Sequence, residues 1–235
     1  MMDYTKDYDL TYFSLASLMK SYLIKVNDEY IERPQDVFMR VAIQLHKSNW
    51  PLVKETYDLM SNQYFSHATP TLYNSCCARS QLASCFLLSP KEDSIEGLYE
   101  TLSKCALISK FSGGIGINLH DIRGRGSALK TTGGKSLGII PFIQVINSTM
   151  KYINQGGFKR SSSIAIYLEP WHKDIFDFID LRKNSGQEDM RARDVFTALW
   201  INDIFMERVE KNEDWSLFCP DEAHGLSNKT LESYY

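Results

Sequence analysis

A cysteine heading a short apolar run, hydroxyls beside a proline, a carboxylate at a helix start and two arginines among glycines are the residues here equipped for chemistry. Cys85 opens the run Cys85-Phe86-Leu87-Leu88, which has strand character and is cut off by Ser89-Pro90, because proline has no N–H for a β-ladder. Asp93-Ser94-Ile95-Glu96 reads as a helix start, with Asp93 as N-cap and Glu96 three residues on, in the manner of a capping box. The helix is expected to run to about Phe111, where Ser112-Gly113-Gly114 ends it. A thiol, a polar helix start and glycines grouped in this way suit a site, and they suit an ordinary strand–helix–strand unit equally well. Thr69 and Thr71 flank Pro70; hydroxyls so placed can hold phosphate oxygens, although turn formation is their commoner use. Arg123 and Arg125 present guanidinium forks that match phosphate geometry.

Other patterns lead elsewhere. Gly134-Lys135-Ser136 resembles the end of a phosphate-binding P-loop, but the motif requires glycine at position 129, which is Leu129. His172 lies beside Glu169 and Asp174 and invites a metal site. A helix-capping cluster is the simpler reading, since no second histidine has ligand spacing. The five cysteines (Cys76, Cys77, Cys85, Cys105 and Cys219) are an odd number with no C-x-x-C pair, which argues against a disulfide framework and a zinc ribbon. Cys105 falls inside the expected helix and reads as core.

The elements that must position these residues follow from periodicity. Helical spacing runs through 12–26, and Asn27-Asp28-Glu29 looks like a turn. Pro34 opens a helix whose Val37, Val41 and Leu45 share one face. A third helix spans about 52–63, and an irregular segment reaches Ser80. After residue 85, strands and helices alternate: strands at 115–119 and 163–168, helices at 141–152, 174–179 and 201–211, and a final strand at 215–218. This order indicates an α/β core behind a helical layer, with the helical segment assigned to 1–66 and the α/β part to 67–235. The 235 residues are 43% apolar and 23% charged, as in a globular protein, and the formal charge of −3 does not suggest a general DNA binder. No apolar run approaches the ~20 residues of a membrane span, and the N-terminus lacks the features of a secretory leader, so the cytoplasm is the expected location.

Nine stretches, in order, carry a resemblance: RPQDVFMRVAIQLH, YFSHATPTLYN, QLASCFLL, DSIEGLYETLSKCALISKFSGGIG, IRGRGS, INQGGFKR, AIYLEPWHKDIFDFIDLRKN, RARDVFTALWINDIFMERV and DWSLFCPDE. The chain resembles the large (α) subunit of class I ribonucleotide reductase, which converts ribonucleoside diphosphates to deoxyribonucleotides. The resemblance implies an N-terminal helical segment followed by the first half of a ten-stranded α/β barrel. Compared with family members the chain lacks the N-terminal cone domain and the second barrel half. That implies a fragment or split-gene piece, or else a non-catalytic nucleotide-binding and dimerising module, or a truncated remnant. The family's thiyl-radical cysteine sits in an Asn-x-Cys-x-Glu loop. No such pattern occurs in these residues, so the chain alone is not expected to turn over.

Residue by residue, the resemblance implies that Cys85 is one of two reducing thiols that become a disulfide at turnover. Thr69 and Ser84 would hold the substrate diphosphate, with Gly113 and Gly114 bordering the pocket. Asp93, Ser94, Ile95, Lys110, Arg123, Lys130 and Thr131 would bind a dNTP or ATP effector. Gln155, Lys159 and Arg160, in a second loop, would report effector identity to the substrate base. The wording departs from the family at Ala83, where serine is common, and at Ala128, Leu129 and Lys130. No cofactor is expected in the chain itself; a metal-radical cofactor belongs to a separate small subunit. The remaining implied partners are a second large subunit across helices 94–111 and 141–152, the C-terminal half of the large subunit, and thioredoxin or glutaredoxin, with no DNA and no membrane.

Overall fold

The computed structural model describes residues 2–78, 80–111, 113–129, 133–154 and 163–223. They fall into two compact units, divided between Ser84 and Cys85, eighteen residues beyond the boundary expected from the sequence.

The first unit is helical. After a 3-10 turn at Tyr4–Asp9 come α1 (Tyr12–Ser21), a two-stranded hairpin of β1 (Lys25–Val26) and β2 (Glu29–Tyr30), then α2 (Pro34–His46), α3 (Trp50–Ser61) and α4 (Thr69–Asn74). The hairpin turns on Asn27 and Asp28, both left-handed at φ 52 and 64°, a conformation that Asn and Asp tolerate better than most residues. It ends the first helix earlier than its apolar spacing suggests. Val37, Phe38, Val41 and Ala42 of α2 pack with Val53, Tyr57 and Met60 of α3 as one buried cluster. The short α4 was expected to be irregular. It is held from outside: Arg40 Nη1 donates to the carbonyls of Leu72 (3.2 Å) and Ser75 (2.7 Å).

The second unit is a four-stranded parallel sheet in sequence order: β3 (Cys85–Leu88), β4 (Gly114–Asn118), β5 (Ile164–Leu168) and β6 (Phe196–Leu199). Crossovers carry α5 (Ile95–Ser109), α6 (Ile140–Asn154) and α7 (Ile175–Ile179), and α8 (Asp203–Lys211) follows β6. Ile115, Ile117, Ile164, Ile166 and Leu168 face the helices and join Cys105, Ile143, Ile146 and Met150 in the core. Residues of alternate parity form the other face, where Cys85 aligns with Gly114, and Leu87 with Gly116, Ala165 and Phe196. That face is open, with Leu87 86% exposed. Parallel sheets are normally covered on both sides, so an open face carrying Leu87 and Phe196 beside glycines, an alanine and a thiol has the character of a barrel interior.

Two expectations are corrected here. β6 was not anticipated, and 215–218 forms no strand: Phe218 makes a single parallel bridge to His172.

Candidate functional site

The helix α5 is capped by Ser94 rather than Asp93: Ser94 Oγ accepts the Gly97 N–H at 3.0 Å and donates to Glu92 at 2.8 Å. This shift of one residue has a chemical result. With Ser94 satisfying the helix end, Asp93 is free to turn toward the loop after β4. Its Oδ2 accepts from Arg123 Nε at 2.5 Å and from the Arg123 N–H at 3.2 Å. Arg123 Nη2 in turn donates to the Asp93 carbonyl at 3.0 Å. The two side chains are only about a quarter exposed (24% and 22%).

The loop 122–139 folds back on itself as a narrow hairpin. Gly126 N donates to Ser136 O, Ser136 N to Ser127 O and Leu129 N to Gly134 O, each at 2.8 Å, with an antiparallel bridge between Ala128 and Lys135. Lys130 and Thr131 lie outside the described residues, as do Gln155, Lys159 and Arg160.

Of the expected effector residues, the structure brings Asp93, Ser94 and Arg123 together. Ile95 follows them, 69% exposed on α5. Lys110 is not with them. It ends a helix of 15 residues, about 22 Å away at 1.5 Å per residue.

The expected substrate residues divide between the two units. Thr69 is the first residue of α4, and its Oγ1 pairs with Tyr22 OH at 2.9 Å. Ser84 follows a segment pinned by Thr71 Oγ1 on Leu82 O (2.9 Å) and Asn74 Nδ2 on Gln81 O (2.8 Å). In the sheet unit, Cys85 is exposed at the start of β3 in register with Gly114. Gly113 is buried where a Cβ would press on Ile108 and Phe86. Cys105 is different in kind: burial pushes its thiol up to about 11, leaving it protonated and inert.

The His172, Glu169 and Asp174 group, expected from the sequence to cap a helix, is instead a buried polar cluster behind the loop. His172, Asp174 and Glu169 are all buried, and they neither cap α7 nor bind one another as metal ligands. Among the described residues, no group of three His, Cys, Asp or Glu is placed to hold a metal ion. Asp174 occupies the N-cap position of α7 without capping it. Its Oδ1 accepts the Arg125 N–H (2.9 Å) and its Oδ2 the Ile139 N–H (3.0 Å). His172 Nδ1 accepts the Asp174 N–H at 3.0 Å, which leaves Nε2 protonated to donate to Ile122 O at 2.7 Å. Burial holds the His172 imidazole below its usual range, consistent with that neutral tautomer. Glu169, raised by burial, accepts from Trp171 Nε1 at 2.5 Å. His120, lowered by burial to about 4, accepts the Glu169 N–H at 3.1 Å.

Residues 8–80 match the family described as ribonucleotide reductase, all-alpha domain, and residues 83–235 match ribonucleotide reductase, barrel domain. The chain is 63% identical over 234 residues to a ribonucleoside-diphosphate reductase large chain of Encephalitozoon cuniculi, covering 100% of this chain and 30% of that one. It is 53% identical over 233 residues to a large subunit of Plasmodium falciparum (99% and 29%). Against a large subunit of Caenorhabditis elegans it is 55% identical over 225 residues (96% and 29%). The chain therefore spans about 30% of the length of these curated relatives.

Proposed function

Because the chain belongs to the ribonucleotide reductase large-subunit family, we propose that it supplies the nucleotide-binding part of a ribonucleoside-diphosphate reductase. In this reading the surface around Asp93 and Arg123 binds a dNTP or ATP effector. Within the sheet unit, Cys85, Gly113 and Gly114 contribute to the site for a ribonucleoside diphosphate; Thr69 and Ser84 are candidate phosphate contacts by resemblance alone. The observation that carries the effector assignment is the Asp93–Arg123 pair at the start of α5, a carboxylate suited to a ribose hydroxyl and a guanidinium suited to phosphate.

In the structure these groups satisfy each other, so an effector must open the pair. A partly exposed ion pair is worth about 1 kcal/mol, whereas a ligand held at about 1 μM contributes roughly 8 kcal/mol; the exchange is affordable. Lys110 joins the site differently. On one chain it stands at the far end of α5. An antiparallel packing of two α5 helices about a twofold axis would bring Lys110 of one copy to Asp93 of the other. Large apolar residues exposed on α5 (Ile95, Tyr99 and Leu107) and Tyr152 on α6 support this surface as the dimer contact.

Cys85 supplies the redox chemistry of the reading. Its thiol is exposed on the open face of the sheet and would be oxidised to a disulfide with a second cysteine as substrate is reduced. Turnover further requires a polypeptide bearing the radical cysteine, the small subunit with its metal-radical cofactor, and thioredoxin or glutaredoxin. A second reading is an effector-binding and dimerising module without catalysis.

Two experiments divide these readings. Calorimetric titration of the chain with dTTP should show saturable binding, and Asp93→Ala combined with Arg123→Ala should abolish it; unchanged affinity would remove the effector assignment. Mixing the chain with a polypeptide carrying Asn-x-Cys-x-Glu and with the small subunit should yield deoxynucleotide. A verified complex that makes none would leave only the second reading.

A further inference from the structure

The loop that presents Arg123 is anchored at its roots by side chains distant in sequence. Asp174 sits between the two ends of the loop, one carboxylate oxygen on the Arg125 N–H and the other on the Ile139 N–H. His172 adds a hydrogen bond to the Ile122 carbonyl, next to Arg123 itself. Cys219 closes the third side: its Sγ lies 3.1 Å from the Gly124 N–H and 2.7 Å from Ser127 Oγ. All three anchors are buried (His172 0%, Cys219 1%, Asp174 4%). Two glycines make the approach possible. A Cβ on Gly124 would meet Asp174 Oδ1 at 3.0 Å; one on Gly138, whose φ is +78°, would collide with Asp174 Oδ2 and lie 2.9 Å from Arg125 N.

We propose that Asp174, His172 and Cys219 form a clamp on both ends of the 122–139 loop that presets Arg123 for a nucleoside triphosphate. They are positioning residues of the effector site and touch no nucleotide themselves. The inference rests on the effector reading given above. A carboxylate suits the role because it is acceptor-only and can take two separate N–H groups. An amide in its place offers one acceptor oxygen and turns a donor toward the other N–H, so one loop end is released.

The test is Asp174→Asn, compared with the unchanged chain by dTTP titration, thermal unfolding and amide hydrogen exchange. The expected result is a tenfold or greater loss of dTTP affinity and loss of exchange protection at Arg125 or Ile139, with strands β3–β6 as protected as before. A purely structural role would instead lower the protection of the strands together with the loop. Should Asp174→Asn fail to fold, Gly138→Ala applies the same test by pushing the loop off the carboxylate, with the same result expected. Unchanged dTTP affinity in a variant whose loop has lost protection overturns the clamp while leaving the effector site standing. A folded unchanged chain that binds none of dTTP, dGTP, dATP or ATP overturns the effector reading and the clamp with it.

Discussion

At the scale of single residues, the environment of each side chain decides whether it reacts, titrates or only holds. The five thiols separate cleanly: Cys76, Cys77 and Cys85 are exposed, Cys105 and Cys219 buried. Brief treatment of the native protein with iodoacetamide, read by peptide mass spectrometry, should label the first three and spare the others; labelling of Cys105 ahead of Cys85 would contradict the structure. His120 gives a pH dependence. Its imidazole is pushed from 6.5 to about 4 by burial, so between these values the unfolded chain binds more protons than the folded one. The contribution of this group is therefore complete above about pH 6.5 and is lost as pH falls toward 4, a span on the order of 3 kcal/mol. His120→Asn keeps an acceptor for the Glu169 N–H and removes the titration. Urea denaturation between pH 7 and 4 should show a shallower loss in the variant, and equal slopes would refute the assignment. Cys85 was legible as a residue worth following because its thiol begins an apolar run. The roles of Asp174 and Cys219 were not, since their partners lie 35 to 95 positions away and no local pattern encodes such contacts.

At the scale of elements, the start of α5 is a closely packed junction. Gly97 sits where a Cβ would approach the Glu92 carbonyl to 2.6 Å. Helix propensity alone would favour alanine there by about 1 kcal/mol. Overpacking against backbone outweighs that gain, so Gly97→Ala should destabilise the protein by roughly 1–3 kcal/mol, measurable as a lowered urea midpoint; a raised midpoint would mean that the capping turn relaxes freely. The same comparison of local preference with tertiary demand separates what could be read in advance. The helices α2, α3, α5 and α6 and the strands β3, β4 and β5 carry clear periodicity or apolar runs. The six-residue α4 is too short to display a period and is held by Arg40 from another helix. Strand β6, Phe196-Thr197-Ala198-Leu199, has no alternation of its own and exists because β5 offers it a ladder. Trp215–Phe218 has the composition of a strand but forms an isolated bridge, Phe218 to His172, and no ladder. Asp93 and Ser94 are both good caps, and sequence alone does not choose between them.

At the scale of the whole molecule, the family and the α/β order were readable because the matching stretches are long and ordered; the unit boundary was not, because residues 67–84 carry hydroxyls and a proline that look like the loop of either unit. The proposed dimer makes a prediction at this scale. Leu107→Glu places a charge on an exposed position of α5 (64% exposed), where folding should be indifferent and self-association should not. Sedimentation velocity with saturating dTTP should find dimers of the unchanged chain and monomers of the variant; persistent dimers would move the interface elsewhere. The hairpin of residues 122–139 carries a different kind of consequence, one for how such a sequence can change over generations. Its roots are pinned from outside, while Ala128, Leu129, Gly134 and Lys135 make their hydrogen bonds and bridge within the hairpin. Substitutions of the Leu129 or Lys135 side chain should therefore be absorbed within the hairpin, leaving the roots beside Arg123 in place. At Gly124, Gly138 and Asp174, by contrast, one change demands another: these three positions must drift together or stay still.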